Sequence, residues 1–231
     1  MSVARTDVNP ARTSRIARLA GLYAVTPDIA DTALLARNVQ AAIAGGAAAI
    51  QYRNKRADSA LRFEQADAIA RLPARARTLY IVNDDAALAA AVDADGLHVG
   101  EDDSAIATAR ALVGEDRLIG VSCYDDIERA HAAIDAGADY VAFGSFFDSS
   151  TKPAARRASI DVLRRAAALD VPVVAIGGIT AANASSLIDA GATAVAVITD
   201  VFGRGDPASI THAAATIVRA CTTERTPAIP R

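Results

Sequence analysis

Several short segments carry residues that suit chemistry on anions. In Gln51-Tyr52-Arg53-Asn54-Lys55, alternation along an extended chain sets Gln51, Arg53 and Lys55 on one side. An amide and two cations would then face one ligand. Arginine recognises oxygens through a planar fork, and lysine acts as a point charge on phosphate. Asn83-Asp84-Asp85 and Glu101-Asp102-Asp103 are acidic clusters, each ahead of an Ala-rich stretch. Either cluster alone would serve as a helix cap. Together they are suited to a hard divalent cation such as Mg2+, which takes one or two carboxylates and completes its shell with phosphate oxygens and water. Ser149-Ser150-Thr151-Lys152-Pro153 offers hydroxyls, amides and a cation to an anion. Gly177-Gly178-Ile179 and Ile198-Thr199-Asp200 offer backbone N–H groups.

These segments share a position. Eight apolar runs recur along the chain: Leu22–Thr26, Ala49–Arg53, Leu79–Asn83, Gly96–Gly100, Leu118–Cys123, Tyr140–Ser145, Val171–Gly178 and Ala194–Thr199. The polar residues sit at or just beyond the C-terminal ends of those runs. Longer stretches with helical periodicity lie between them, including Thr32–Ala44, Ala60–Leu72, Asp85–Val92, Asp125–Ala136 and Ala181–Ala190. The pattern is that of an α/β chain folded as a (β/α)8 TIM barrel, whose sites are built where strands end. Eight units in this length favour closure over an open doubly wound sheet. The phrases Ala44-Gly45-Gly46-Ala47, Asp135-Ala136-Gly137-Ala138 and Asp189-Ala190-Gly191-Ala192 each precede a run and read as repeated helix-to-strand turns. The loops after strands seven and eight are the usual phosphate position of this fold.

Bulk properties fit one domain. The chain has 231 residues, 52% of them hydrophobic, and a net charge of −3, which argues against a broad nucleic-acid face. No apolar run approaches the roughly 18 residues of a membrane span. Cys123 and Cys221 form no disulfide framework, and a cytoplasmic setting fits best. Arg5, Arg12, Arg15 and Arg18 precede the first strand without an apolar h-region, against a secretory signal. The expected organisation is a tail over residues 1–19, a barrel over 20–219 and a tail over 220–231, with homo-oligomerisation left open. His98 falls inside a strand and reads as packed or hydrogen-bonded. His131 and His212 have no ligand-spaced partner, and nothing marks a base beside Cys123.

Taken in order, Gln51-x-Arg53-x-Lys55, Asn83-Asp84-Asp85, His98-Val99-Gly100-x-x-Asp103, Val121-Ser122, Ser149-x-Thr151-Lys152, Gly177-Gly178-Ile179 and Ile198-Thr199 resemble the thiamine-phosphate synthase family over roughly residues 20–205. The resemblance implies a Mg2+-dependent transferase of thiamine biosynthesis. It would join hydroxymethylpyrimidine diphosphate to hydroxyethylthiazole phosphate, giving thiamine monophosphate and diphosphate by a dissociative path. It implies that Gln51, Tyr52, Arg53, Asn54, Lys55, Asn83, Ser122 and Lys152 hold the pyrimidine diphosphate, with Arg53, Lys55, Lys152 and Ser122 as the catalytic set. Asp84 and Asp103 would bind Mg2+. Ser149, Ser150, Thr151, Gly178, Ile198 and Thr199 would hold the thiazole phosphate. The chain departs from the family pattern at Glu101, where glutamine is usual, at Ser149, where threonine is commoner, and at Ser145 and Asp148, where prolines are frequent. A regulatory relative, a thiazole tautomerase or a sugar-phosphate isomerase would have less use for Arg53, Lys55, Asp84, Asp103 and Lys152 together.

Overall fold

The computed structural model describes residues 9–100, 104–148 and 157–222. Eight parallel strands close into a barrel in chain order. They are β1 (Gly21–Val25), β2 (Ala49–Tyr52), β3 (Leu79–Asn83), β4 (Gly96–Val99), β5 (Leu118–Tyr124), β6 (Tyr140–Gly144), β7 (Val173–Ile176) and β8 (Ala194–Val197). Each falls within a run expected from the sequence, give or take one residue. Between them run α2 (Thr32–Ala44), α3 (Ser59–Ala70), α4 (Ala86–Ala91), α5 (Ser104–Val113), α6 (Ile127–Asp135), α7 (Ile160–Ala166) and α8 (Ala184–Asp189). A short α9 (Thr199–Phe202) and α10 (Pro207–Thr222) follow β8. Aspartates begin several of these helices by accepting the orphan N–H groups of the first turn. Asp31 caps α2 at 2.8 Å, and Asp58 and Asp85 cap α3 and α4 at 2.9 Å.

Strand alternation sorts the core into two shells. Leu22, Ile50, Val82, Leu97, Val121, Phe143, Ala175 and Val195 pack outward against the helices. Tyr23, Val25, Ala49, Leu79, Ile81, Leu118, Tyr140, Ala142, Val174, Ala194 and Ala196 fill the interior. Two tyrosines inside an eight-stranded barrel need small neighbours. Gly120 lies beside Tyr140 in the ladder, and a Cβ on it would fall 1.9 Å from the Tyr140 ring.

The expectation of a tail over residues 1–19 is corrected for residues 10–18, which form α1 (Pro10–Arg18). This helix closes the N-terminal mouth, and Ile16 and Leu19 pack on the interior shell. Charge holds it there. Arg15 Nε meets Asp95 Oδ1 at 3.1 Å, and Arg12 Nε meets Asp139 Oδ1 at 3.5 Å. Neither aspartate is spare. Asp95 also accepts from the Tyr80 amide at 2.9 Å, and Asp139 accepts from the Ile119 amide at 2.8 Å and pairs with Arg110 at 2.7 Å. Each thereby satisfies the amide of the second residue in the preceding strand. The signal in the sequence was an amphipathic arginine spacing with no hydrophobic run, which reads as a tail until its acidic partners are known. At the other end, α10 continues to Thr222, past the expected boundary at 219.

Because the Asp139 side chain is 1% exposed, Asp139→Ala strands two arginines and an amide. We expect it to cost about 3–5 kcal/mol in urea unfolding.

Candidate active site

The C-terminal mouth opens on a cavity of about 930 Å³. Its wall at β2 is positioned by the loop after β1. Thr26 Oγ1 accepts from the Arg53 amide and donates to the Arg53 carbonyl, both at 2.9 Å. Asp28 Oδ1 accepts from the Lys55 amide at 3.0 Å and from Arg53 Nη1 at 3.3 Å. Thr26 and Asp28, which sequence reasoning missed, therefore aim the Arg53 guanidinium into the cavity. Gln51 and Arg53 line it, and Lys55, two residues on, is exposed.

Tyr52 and Asn54 require correction as substrate contacts. Tyr52 faces the helix layer, where its hydroxyl donates to Gln65 Oε1 at 3.0 Å. Asn54 is buried. Its Nδ2 donates to Gln65 Oε1 and the Ile29 carbonyl, and its Oδ1 accepts from the amides of Arg56 and Ala57. The reason is parity, since neighbours of an inward residue point outward. Both residues hold the shape of the loop that carries Arg53 and Lys55.

At β3, Asn83 lines the cavity and donates to Asp84 Oδ2 at 2.7 Å. Asp84 has φ 63°, a left-handed backbone that costs a non-glycine residue energy and turns its exposed carboxylate away from the strand. Its amide donates to the His98 carbonyl at 2.8 Å. Asp85 is the cap of α4, the bland reading of that cluster. A carboxylate such as Asp84 is the donor type that Mg2+ takes. Asp103, the other expected ligand, lies outside the described residues, as do Ser149, Ser150, Thr151 and Lys152.

Across the floor runs a buried polar chain. Gln51 Nε2 donates to Tyr23 Oη at 2.9 Å, and Tyr23 Oη lies 2.9 Å from Tyr140 Oη. Tyr140 Oη is 3.1 Å from His98 Nδ1, and His98 Nε2 is 3.0 Å from Ser122 Oγ. His98 is hydrogen-bonded, as expected, yet it also lines the cavity beside Ser122. The tyrosines escaped sequence reasoning. The available signal was an inward phenol on strands neighbouring inward polar residues, since a buried hydroxyl needs a partner. Burial pushes the phenols of Tyr23 and Tyr140 well above the ordinary tyrosine range. Cys123 is fully buried on the outward face, with Sγ 3.7 Å from the Val121 carbonyl.

The far wall is made by the loops after β7 and β8. Gly177 and Gly178 have φ of 108° and 61°. A Cβ on Gly177 would lie 2.0 Å from Ser145 Oγ, and one on Gly178 would lie 2.3 Å from the Asp148 carbonyl oxygen. Asn183 braces this turn, accepting from the Thr180 amide at 2.8 Å and donating to the Gly178 carbonyl at 3.2 Å. Asp200 accepts from the Ala181 amide at 3.1 Å. Neither brace was foreseen. Where prolines would stiffen the loop after β6, Ser145 Oγ donates to the Phe147 carbonyl, and the Phe147 amide donates to the Gly177 carbonyl. Gly178, Ile198 and Thr199 all line the cavity. One cavity thus brings Gln51, Arg53, Asn83 and Ser122 opposite Gly178, Ile198 and Thr199.

The sequence pattern described as thiamine monophosphate synthase matches residues 22–201. The chain belongs to the thiamine monophosphate synthase family. Similar relatives include the thiamine-phosphate synthase of Azoarcus sp. (strain BH72), 55% identical over 82% of this chain and 93% of that one. That of Chromobacterium violaceum is 51% identical over 86% of this chain and 96% of that one. Among solved structures, the thiamine phosphate pyrophosphorylase of Pyrococcus furiosus superposes with a TM-score of 0.76 at 33% identity, covering 90% and 97% of the two chains. As a family member the chain is a transferase of thiamine biosynthesis. Among the described residues no helix is long and apolar enough to cross a membrane.

The raised phenol pKa values set a pH dependence. Protons leave the unfolded tyrosines near pH ~10 while the folded ones keep theirs. Stability is therefore full below pH ~10 and falls as pH rises toward the folded values. Urea melts between pH ~9 and ~11 should show this loss, with a step in tyrosinate absorbance on unfolding as the buried phenols are released.

Proposed function

We propose that this cavity joins hydroxymethylpyrimidine diphosphate to hydroxyethylthiazole phosphate, releasing thiamine monophosphate and diphosphate. One observation carries the reading: a single cavity has a cation-and-hydroxyl wall at β2 and β5 and a glycine-and-amide wall at β7 and β8. Two anionic groups therefore have separate seats within reach of one another. Gln51, Arg53, Lys55, Asn83, Ser122 and Lys152 take the pyrimidine diphosphate. Ser149, Ser150, Thr151, Gly178, Ile198 and Thr199 take the thiazole phosphate, partly through backbone amides.

The reaction follows from charge. The bond between the pyrimidine methylene carbon and the diphosphate oxygen breaks, and its electron pair leaves with the diphosphate. Arg53, Lys55 and Lys152 stabilise that growing negative charge, and Ser122 adds a hydrogen bond. The thiazole nitrogen then donates its lone pair to the methylene cation, forming the new carbon–nitrogen bond. No side-chain nucleophile or base is required. Val25, Ala142, Val174 and Ile176 line the interior end of the cavity and keep water from intercepting the cation. Asp84 and Asp103 would hold Mg2+, which would supply further neutralisation of the diphosphate when bound. The setting is cytoplasmic.

The test is an assay with both substrates, with and without Mg2+, following both products together. Stoichiometric, metal-dependent appearance of both is expected. Binding of thiazole phosphate without product would replace this reading with a regulatory one. Asp84→Ala and Lys152→Ala should each lower turnover by about 100-fold or more with the fold intact; unchanged Mg2+-dependent turnover in folded Asp84→Ala would remove its metal role.

A further inference from the structure

The polar chain across the cavity floor has a direction, and that direction decides what Ser122 can do for an anion. The argument rests on the pyrimidine-diphosphate reading above. A phenol carries one proton. Tyr23 Oη accepts from Gln51 Nε2 at 2.9 Å; accepting from Tyr140 Oη, 2.9 Å away, as well would leave its own buried proton without an acceptor, so that proton is best placed on the bond to Tyr140. Tyr140 spends a lone pair on Tyr23 and gives its own proton to His98 Nδ1 at 3.1 Å. His98 is then the Nε2–H tautomer and donates to Ser122 Oγ at 3.0 Å. With its oxygen accepting from His98, Ser122 has its proton left to give to the cavity.

We infer that Gln51, Tyr23, Tyr140 and His98 form a one-way hydrogen-bond relay that sets Ser122 as a donor to the anionic substrate. Tyr23, Tyr140 and His98 are thus positioning residues, acting through Ser122. The opposite direction would spend the Ser122 proton on His98 Nε2 and turn serine lone pairs toward the anion, which is repulsive. Two further observations hold the relay in place. The Tyr140 ring occupies the space that any Cβ at position 120 would fill, so β5 reserves that room for it. The ring also stacks, tilted by 32°, 5.6 Å from the His98 imidazole. Both phenols are raised by burial, so each keeps the single proton that the direction requires.

The tautomer can be read directly, without substrate. The chain has three histidines, and the imidazole nitrogen signals of His98 in 15N-histidine-labelled protein are assigned by their loss in His98→Gln. An Nε2–H ring is expected; an Nδ1–H or doubly protonated ring overturns the relay. Calorimetry supplies the functional arm. Tyr140→Phe should weaken pyrimidine-diphosphate binding about tenfold, equivalent to ~1.4 kcal/mol, and leave thiazole-phosphate binding unchanged. In a Ser122→Ala background the same substitution should add nothing. Equal loss for both ligands, or full additivity, would make Tyr140 merely structural and overturn the proposal. Product formation by the unmodified protein is scored separately, so failure of the synthase reading is not confused with failure of the relay.

Discussion

Filling a narrow parallel barrel with side chains that are both large and polar is the constraint on which this structure turns. Tyr23 and Tyr140 supply the bulk, and their hydroxyls lie where water is excluded. A buried hydroxyl without a partner is costly, so each is drawn into a chain of bonds that ends at the cavity. Glycine at position 120 and alanines on β2, β6 and β8 make the room. The floor of the site is thus a consequence of how the core is packed, and its polar edge is rigid because the core is.

The two ends of the barrel solve opposite problems. At the N-terminal end, Asp95 and Asp139 satisfy strand amides and fasten α1 through arginines, closing that mouth. At the C-terminal end, charge is aimed at a ligand. Asp28 orients Arg53, Asn183 braces the Gly177–Gly178 turn, and Asp84 is held in a backbone conformation that only its surroundings justify. Aimed charge collects at the C-terminal end, whereas left-handed non-glycine backbone occurs at both ends, at Asp84 and Tyr124 there and at Asp93 at the other.

Family membership fits this division. Relatives at 51–55% identity match over 82–86% of the chain. The loop after β6 shows how a departure can be absorbed. Serine at position 145 hydrogen-bonds the loop to itself, and its neighbours bond to the β7 turn.

The sequence by itself determined the barrel, its strand count, the end that carries chemistry and the residues at each strand terminus, because periodicity and turn chemistry are local properties. Gln51 and Arg53 were legible as inward residues for the same reason, and the same alternation, followed strictly, turns Tyr52 outward. Only the tertiary structure decided that Asn54 braces a loop, that residues 10–18 close the barrel, and that Gln51, Tyr23, Tyr140, His98 and Ser122 form one chain. Those five residues come from β1, β2, β4, β5 and β6. Their contacts depend on ladder register, on barrel closure and on the room left at Gly120, and none of these is a property of any short segment.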